Sequence, residues 1–131
     1  MYKGRIASTT VTANTNIPFA NVWNTNANTA YDSTNDAIGL LTAGYYDVMV
    51  NLVVTGSAGA NISAQLYVND VAVPESIATV DITANTGIET LTVFDTIRVV
   101  HTPIPEFADV SVRLSGNATI SSGVITIEKR K

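Results

Sequence analysis

Residues Tyr31 to Val54 read YDSTNDAIGLLTAGYYDVMVNLVV. A polar turn leads to Gly44 and two tyrosines, and from Tyr46 the apolar residues fall at every second position: Tyr46, Val48, Val50, Leu52 and Val54. Asp47, Met49 and Asn51 occupy the positions between. Side chains alternate across an extended chain, so the stretch predicts a strand with one face in a core and the other facing out.

The same grammar extends in both directions. No apolar spacing of three and four persists for the ten or so residues a helix needs. Short runs rich in β-branched and aromatic residues are instead separated by Asn, Gly, Ser and Pro. They predict strands near Gly4–Val11, Ile17–Trp23, Ala37–Leu41, Tyr45–Thr55, Ile62–Asn69, Val71–Val73, Ala78–Ile82, Ile88–Val100, Asp109–Ser115 and Val124–Glu128. Many short strands at this spacing imply a sandwich or barrel. In Ile62–Val68 the set Ile62, Ala64, Leu66, Val68 alternates with Ser63, Gln65, Tyr67. Asn69-Asp70 then forms a two-residue hairpin, because both residue types tolerate positive φ. Val110, Val112 and Leu114 oppose Ser111, Arg113 and Ser115, and Ile125 and Ile127 point inward in a last strand expected inside a sheet. Pro103 and Pro105 place HTPIPEF in a loop or an edge crossing, since proline cannot donate to a ladder.

Composition bounds the rest. A chain of 131 residues reads as one domain, 1–131, with 1–14 an N-terminal strand or arm. Size scaling gives ~6,600 Å² exposed when folded against ~20,000 Å² extended, enough burial for a core without disulfides. There is no cysteine, which excludes thiol catalysis and thiolate metal sites. The net charge of −4 argues against nucleic acid as a partner, which needs a basic face to neutralise phosphates. Val48 to Asn69 carries no charge, but Asn51, Asn61 and Gln65 interrupt it and its period is two, so no membrane span is expected. MYKGRIASTTV has no apolar core of a signal peptide.

The order of features resembles the C1q/TNF-like jelly roll. Ile17, Phe19, Val22 and Asn24 match an early strand, and Tyr31-Asp32, Ile38 and Gly44-Tyr45-Tyr46 match the turn and strand that follow. AIGLLTAGYYDVMV and AQLYVNDVAVPES are similar to the heads of bacterial collagen-like spore-surface glycoproteins, and stand-alone heads of this kind occur in bacteriophage particles. Two departures stand out: the hairpin carries Asn69-Asp70 in place of Asn-Gly, and no collagen stalk is present, so a head alone is expected. The resemblance implies an all-β, antiparallel two-sheet jelly-roll sandwich that forms a homotrimer, with aromatic and aliphatic residues of one sheet around a threefold axis. Tyr45, Tyr46, Tyr67 and Phe94 are the expected packing residues, with Trp23 a further exposed aromatic. Tyr46 shares parity with the Val48 row, so either it lies in the monomer core or that whole row faces a partner.

The expected function is therefore that of a non-enzymatic structural protein of a phage virion, a capsid decoration or fibre-head trimer. Lys3, Arg5, Lys129, Arg130 and Lys131 would meet an acidic shell or other virion or fibre proteins, although the C-terminal three read first as a solvated tail. The alternative is a carbohydrate- or receptor-binding head on a bacterial cell, spore or phage fibre, with Trp23, Tyr31, Tyr45 and Tyr46 as a sugar platform. An enzyme has least support: His101 is the one histidine, and no nucleophile elbow accompanies it. No cofactor or metal is expected. Asp32, Asn35 and Asp36 read as a polar turn, because the Gly and Glu that an EF-hand needs are Ala37 and Ala43. Asn61-Ile62-Ser63 and Asn117-Ala118-Thr119 match the glycosylation pattern, as chance allows in a chain so rich in Asn, Ser and Thr.

Overall fold

A computed structural model describes residues 1–6, 8–24, 29–56, 59–82, 87–100 and 108–130, with the backbone alone at 21–24. Among them there is no helix. The strands are β1 (Tyr2–Ile6), β2 (Thr9–Val11), β3 (Ala20–Asn24), β4 (Thr29–Asp32), β5 (Ala37–Leu40), β6 (Gly44–Thr55), β7 (Asn61–Val68), β8 (Val71–Asp81), β9 (Ile88–Val99), β10 (Ala108–Leu114) and β11 (Ala118–Lys129). They form two antiparallel sheets, one in the order β3-β1-β11-β6-β9 with β2 also on β11, the other β4-β5-β10-β7-β8. Most neighbours are distant in sequence. The first strand pairs with the last, Tyr2 opposite Ile127, so β11 does lie inside its sheet.

The period-two stretch sets the core. Tyr46, Val48, Val50, Leu52 and Val54 are all 0% exposed. They face Ile38, Leu40, Ile62, Leu66, Val110, Val112 and Leu114 of the other sheet within one hydrophobic cluster. Each such side chain contributes roughly 1.5–3 kcal/mol on leaving water. The row is thus buried within a single chain, which decides the alternative left open for Tyr46. Its hydroxyl donates to the Thr42 carbonyl at 2.8 Å and shares a 2.9 Å hydrogen bond with the Thr42 hydroxyl. Gly44 starts the strand at φ +143, and a Cβ there would lie 2.7 Å from Lys129 Cε.

Several boundaries depart from expectation for identifiable reasons. The predicted Gly4–Val11 strand is two, β1 and β2, paired with successive parts of β11. Strand β1 starts earlier because Tyr2 is fully buried. Strand β3 begins at Ala20, yet Ile17 and Phe19 still enter the core, and the Ile17 amide donates to Val112 O at 2.9 Å. Strand β4 was not expected. It is half of a hairpin with β5, Tyr31 opposite Ile38 and Asp32 opposite Ala37, around the polar turn that was expected.

Val71–Val73 and Ala78–Ile82 belong to one strand, β8. Leu66 of β7 lies between the pairs Gln65–Ile77 and Tyr67–Ala72, so β8 bulges around Pro74. Ser76 closes the bulge by donating to Val73 O at 2.8 Å and accepting from the Leu66 amide at 3.2 Å. Likewise β11 runs from Ala118, because Ser121-Ser122-Gly123 is a β-bulge inside a strand where it reads as a turn. The Asn69-Asp70 hairpin is as expected, with φ of +51 and +65. The HTPIPEF segment, with His101, lies outside the described residues.

Candidate functional site

The outward rows of β6 and β9 build the candidate surface. Opposite residues in the register are Tyr45 and Arg98, Asp47 and Thr96, Met49 and Phe94, Asn51 and Thr92. Phe94 is 57% exposed, Tyr45 49% and Met49 42%, so an apolar ridge stands on the outer face of the first sheet. Polar contacts hold the ridge in shape. The Thr92 hydroxyl donates to Asn51 Oδ1 at 2.7 Å, and the Thr96 hydroxyl donates to Asp47 Oδ1 at 2.8 Å. Arg98 lies 5.9 Å from the Tyr45 ring centre. At the foot of the ridge Arg130 Nε donates to Asp47 Oδ2 at 2.9 Å. The hydrogen bonds from Arg130 and then Thr96 hold the Asp47 carboxyl below the usual carboxylate range, and the same pairing raises Arg130.

Beside the ridge, Lys3, Arg5, Asn51, Val53, Ser122, Gly123 and Val124 line a shallow hollow of about 340 Å³. Lys3 and Arg5 project there because β1 pairs Lys3 with Thr126 and Arg5 with Val124.

The expected site residues therefore separate. Tyr45 and Phe94 share this face with Lys3 and Arg5. Tyr46 is in the core. Tyr67 lies on the opposite sheet, with the Arg113 guanidinium 4.3 Å from its ring centre. Lys129 donates to the Thr42 hydroxyl at 3.1 Å and Arg130 is ion-paired, both at the end of the face. Lys131 and the Trp23 side chain lie outside the described residues. Tyr31 is on β4 and half-buried, so Tyr31, Tyr45 and Tyr46 do not come together as a sugar platform. Met49 is the member that sequence reasoning left out. Its place in the polar row of an amphipathic strand was the signal; its partner Phe94 is a matter of register.

The Asp32 carboxylate turns back on its own loop. It accepts from the Thr34 amide at 2.9 Å, the Asn35 amide at 3.3 Å and Asn35 Nδ2 at 2.7 Å, which lowers its ionisation below the ordinary range. Among the described residues no three His, Cys, Asp or Glu side chains converge as metal ligands.

No family model matches the chain, and no curated protein matches it. Solved structures do. Eiger TNF from S. frugiperda is similar over 99% of this chain and 93% of its own, at 12% identity and a TM-score of 0.67. Murine APRIL is similar over 97% and 98%, at 6% identity and 0.67. The PRD1 vertex protein P5 is similar over 99% and 96%, at 11% identity and 0.61. At such identities the likeness is one of fold: the chain is a TNF-like jelly roll.

Proposed function

We propose that this chain is a non-enzymatic structural protein that assembles as a homotrimer and serves in a bacteriophage virion as a capsid-decoration or fibre-head component. The observation that carries the reading is the ridge of Tyr45, Met49 and Phe94 on the outer face of β6 and β9. Their alternate residues already fill the core, so the ridge is not left over from an incomplete monomer. Exposed apolar ridges rimmed by polar residues are covered in assemblies.

Charge supports a ring over a two-fold pair. Lys3 and Arg5 stand on β1, towards one flank of the first sheet, while β8, which packs beside β9 at the other flank, carries the exposed Glu75 and Asp81. A contact that sets the acidic flank of one copy against the basic part of the next is heterologous, and a heterologous contact whose rotation closes generates a ring. The likeness to the PRD1 vertex protein P5 supports the virion setting. Under this reading Lys3 and Arg5 serve assembly, and Lys129, Arg130 and Lys131 are left for the particle.

Sedimentation of the purified chain at micromolar concentration is expected to give the mass of three chains. The double variant Met49→Glu and Phe94→Glu is expected to sediment as one chain with an unchanged circular dichroism spectrum. A wild-type monomer, or a double variant that still trimerises, overturns the proposed assembly.

A further inference from the structure

On one side of the sandwich β8 lies beside β9, and each is the last described strand of its own sheet. These edges are long, 11 and 12 residues, whereas the strands at the opposite ends, β3 and β4, have five and four. A long edge strand presents a row of unpaired N–H and C=O groups and is a template for pairing with another chain. Among the described residues, both edges on this side carry features that withdraw the template.

Strand β9 turns Leu91, Val93, Ile97 and Val99 into the core, and Asp95 takes the middle position of that row, opposite Val48 of β6. Asp95 Oδ1 accepts from the Thr96 amide at 2.8 Å, so one donor of the edge strand is spent within the chain. Asp95 Oδ2 is enclosed and meets no donor among the described residues. A carboxylate oxygen held away from water without a donor costs stability, and an apolar side chain would fill the row without that cost. On β8, Pro74 has no N–H to offer, and Val73 O already accepts from Gln65 Nε2 at 3.0 Å and from the Ser76 hydroxyl at 2.8 Å.

We propose that Asp95 is a gatekeeper: with the Pro74 bulge it closes the β8–β9 side to strand addition by a second copy of this chain. Copies then meet through sheet faces and not through sheet edges. A strand that extended the first sheet would lie along β9 and set its own inward row beside an unpaired carboxylate. It would also do without the Thr96 amide. Shielding that carboxylate further from water costs more than the backbone bonds gained at this position return. The stability given up in the core row is thus exchanged for solubility of the folded chain. A single chain needs this protection as much as an assembled one, so the inference does not rest on the proposed trimer.

The test compares Asp95→Asn and Asp95→Leu with wild type, each as the full chain at pH 7. Asp95→Asn keeps an acceptor for the Thr96 amide and removes the charge. Asp95→Leu completes the apolar row and is expected to melt about 3–8 °C higher than wild type. On concentrated incubation below the melting temperature, both are expected to form sedimenting, thioflavin-T-positive species several-fold faster than wild type, Asp95→Leu the faster. A closed assembly has a fixed mass, so sedimentation reads open-ended growth apart from trimer formation. Thr90→Leu, exposed on the same strand, adds an apolar side chain outside the inward row and is expected to behave as wild type. Asp95 variants that stay as soluble as wild type overturn the inference. So does aggregation that accompanies a lowered melting temperature, or equal aggregation by Thr90→Leu.

Discussion

Tyr2 concentrates the tension between burial and polarity at one residue. It is 0% exposed, and its hydroxyl is enclosed without a hydrogen-bond partner. Burial, with a smaller effect from Tyr31, pushes its ionisation up to about 12. A phenol that ionises near pH 10 when unfolded and near 12 when folded stabilises fully below pH 10. The contribution is lost as pH rises through that window, and two pH units correspond to roughly 3 kcal/mol. Tyr2→Phe is therefore expected to melt no lower than wild type at pH 7, since it removes an unpaired buried hydroxyl. The same variant should fall off less steeply between pH 10 and 12 in a melting series, and an unchanged alkaline profile would assign the loss to other groups. The burial of Tyr2 was not legible in the sequence. Met1 to Lys3 carries too few residues for a period, and only the pairing of Tyr2 with Ile127 places its side chain inward.

Elements were legible where alternation ran unbroken and not where it was interrupted. Strand β6 was read almost to its ends, because five alternate apolar residues leave one orientation that buries them all. Strand β11 was cut short because Ser121-Ser122-Gly123 has the composition of a turn. In the sheet, Ser121 is the extra residue of a bulge, its hydroxyl donating to Val53 O at 3.2 Å. Gly123 then returns to the inner face, where a Cβ would lie 2.6 Å from Ile6 Cγ2 and 2.8 Å from Leu52 Cδ2. The glycine is there for close packing and not for a turn. Gly123→Ala is expected to destabilise the fold by about 1–3 kcal/mol through overpacking. Denaturant unfolding measures it, and a variant of wild-type stability would show that Ile6 and Leu52 yield freely. Pro74 had the same effect on β8, where a bulge held by Ser76 carries the strand past it.

At the scale of the whole molecule, the order of strands decides which surfaces exist. Placing β6 beside β9 turns two separate outward rows into one ridge. Placing β10 between β5 and β7 brings Asp109 and Asp70, far apart in sequence, to the rim of one hollow. The charges divide in the same way: Lys3 and Arg5 lie on the proposed assembly face, while Lys129 and Arg130 lie at its end. Neutralising Lys129, Arg130 and Lys131 to Gln is then expected to weaken attachment to an acidic particle surface and flatten its salt dependence, with the mass of the assembly unchanged. Co-sedimentation with particles at two salt concentrations measures this, and undiminished attachment would remove the tail from the contact.

By itself the sequence determined the all-β class, the apolar row from Tyr46 to Val54, the Asn69-Asp70 hairpin and the jelly-roll resemblance. The first three are written locally, in a period of two or in a backbone preference for positive φ, and the resemblance rests on the order of short motifs from Ile17 to Tyr46. The tertiary structure alone decided that Tyr46 belongs to the core of one chain, that Tyr45, Met49 and Phe94 form a single ridge while Tyr67 lies on the far sheet, and that Asp70 and Asp109 line one hollow. The physical reason is that alternation fixes which side of a strand a residue occupies. Which strands lie side by side is set by packing between segments distant along the chain, and surfaces are made of neighbours.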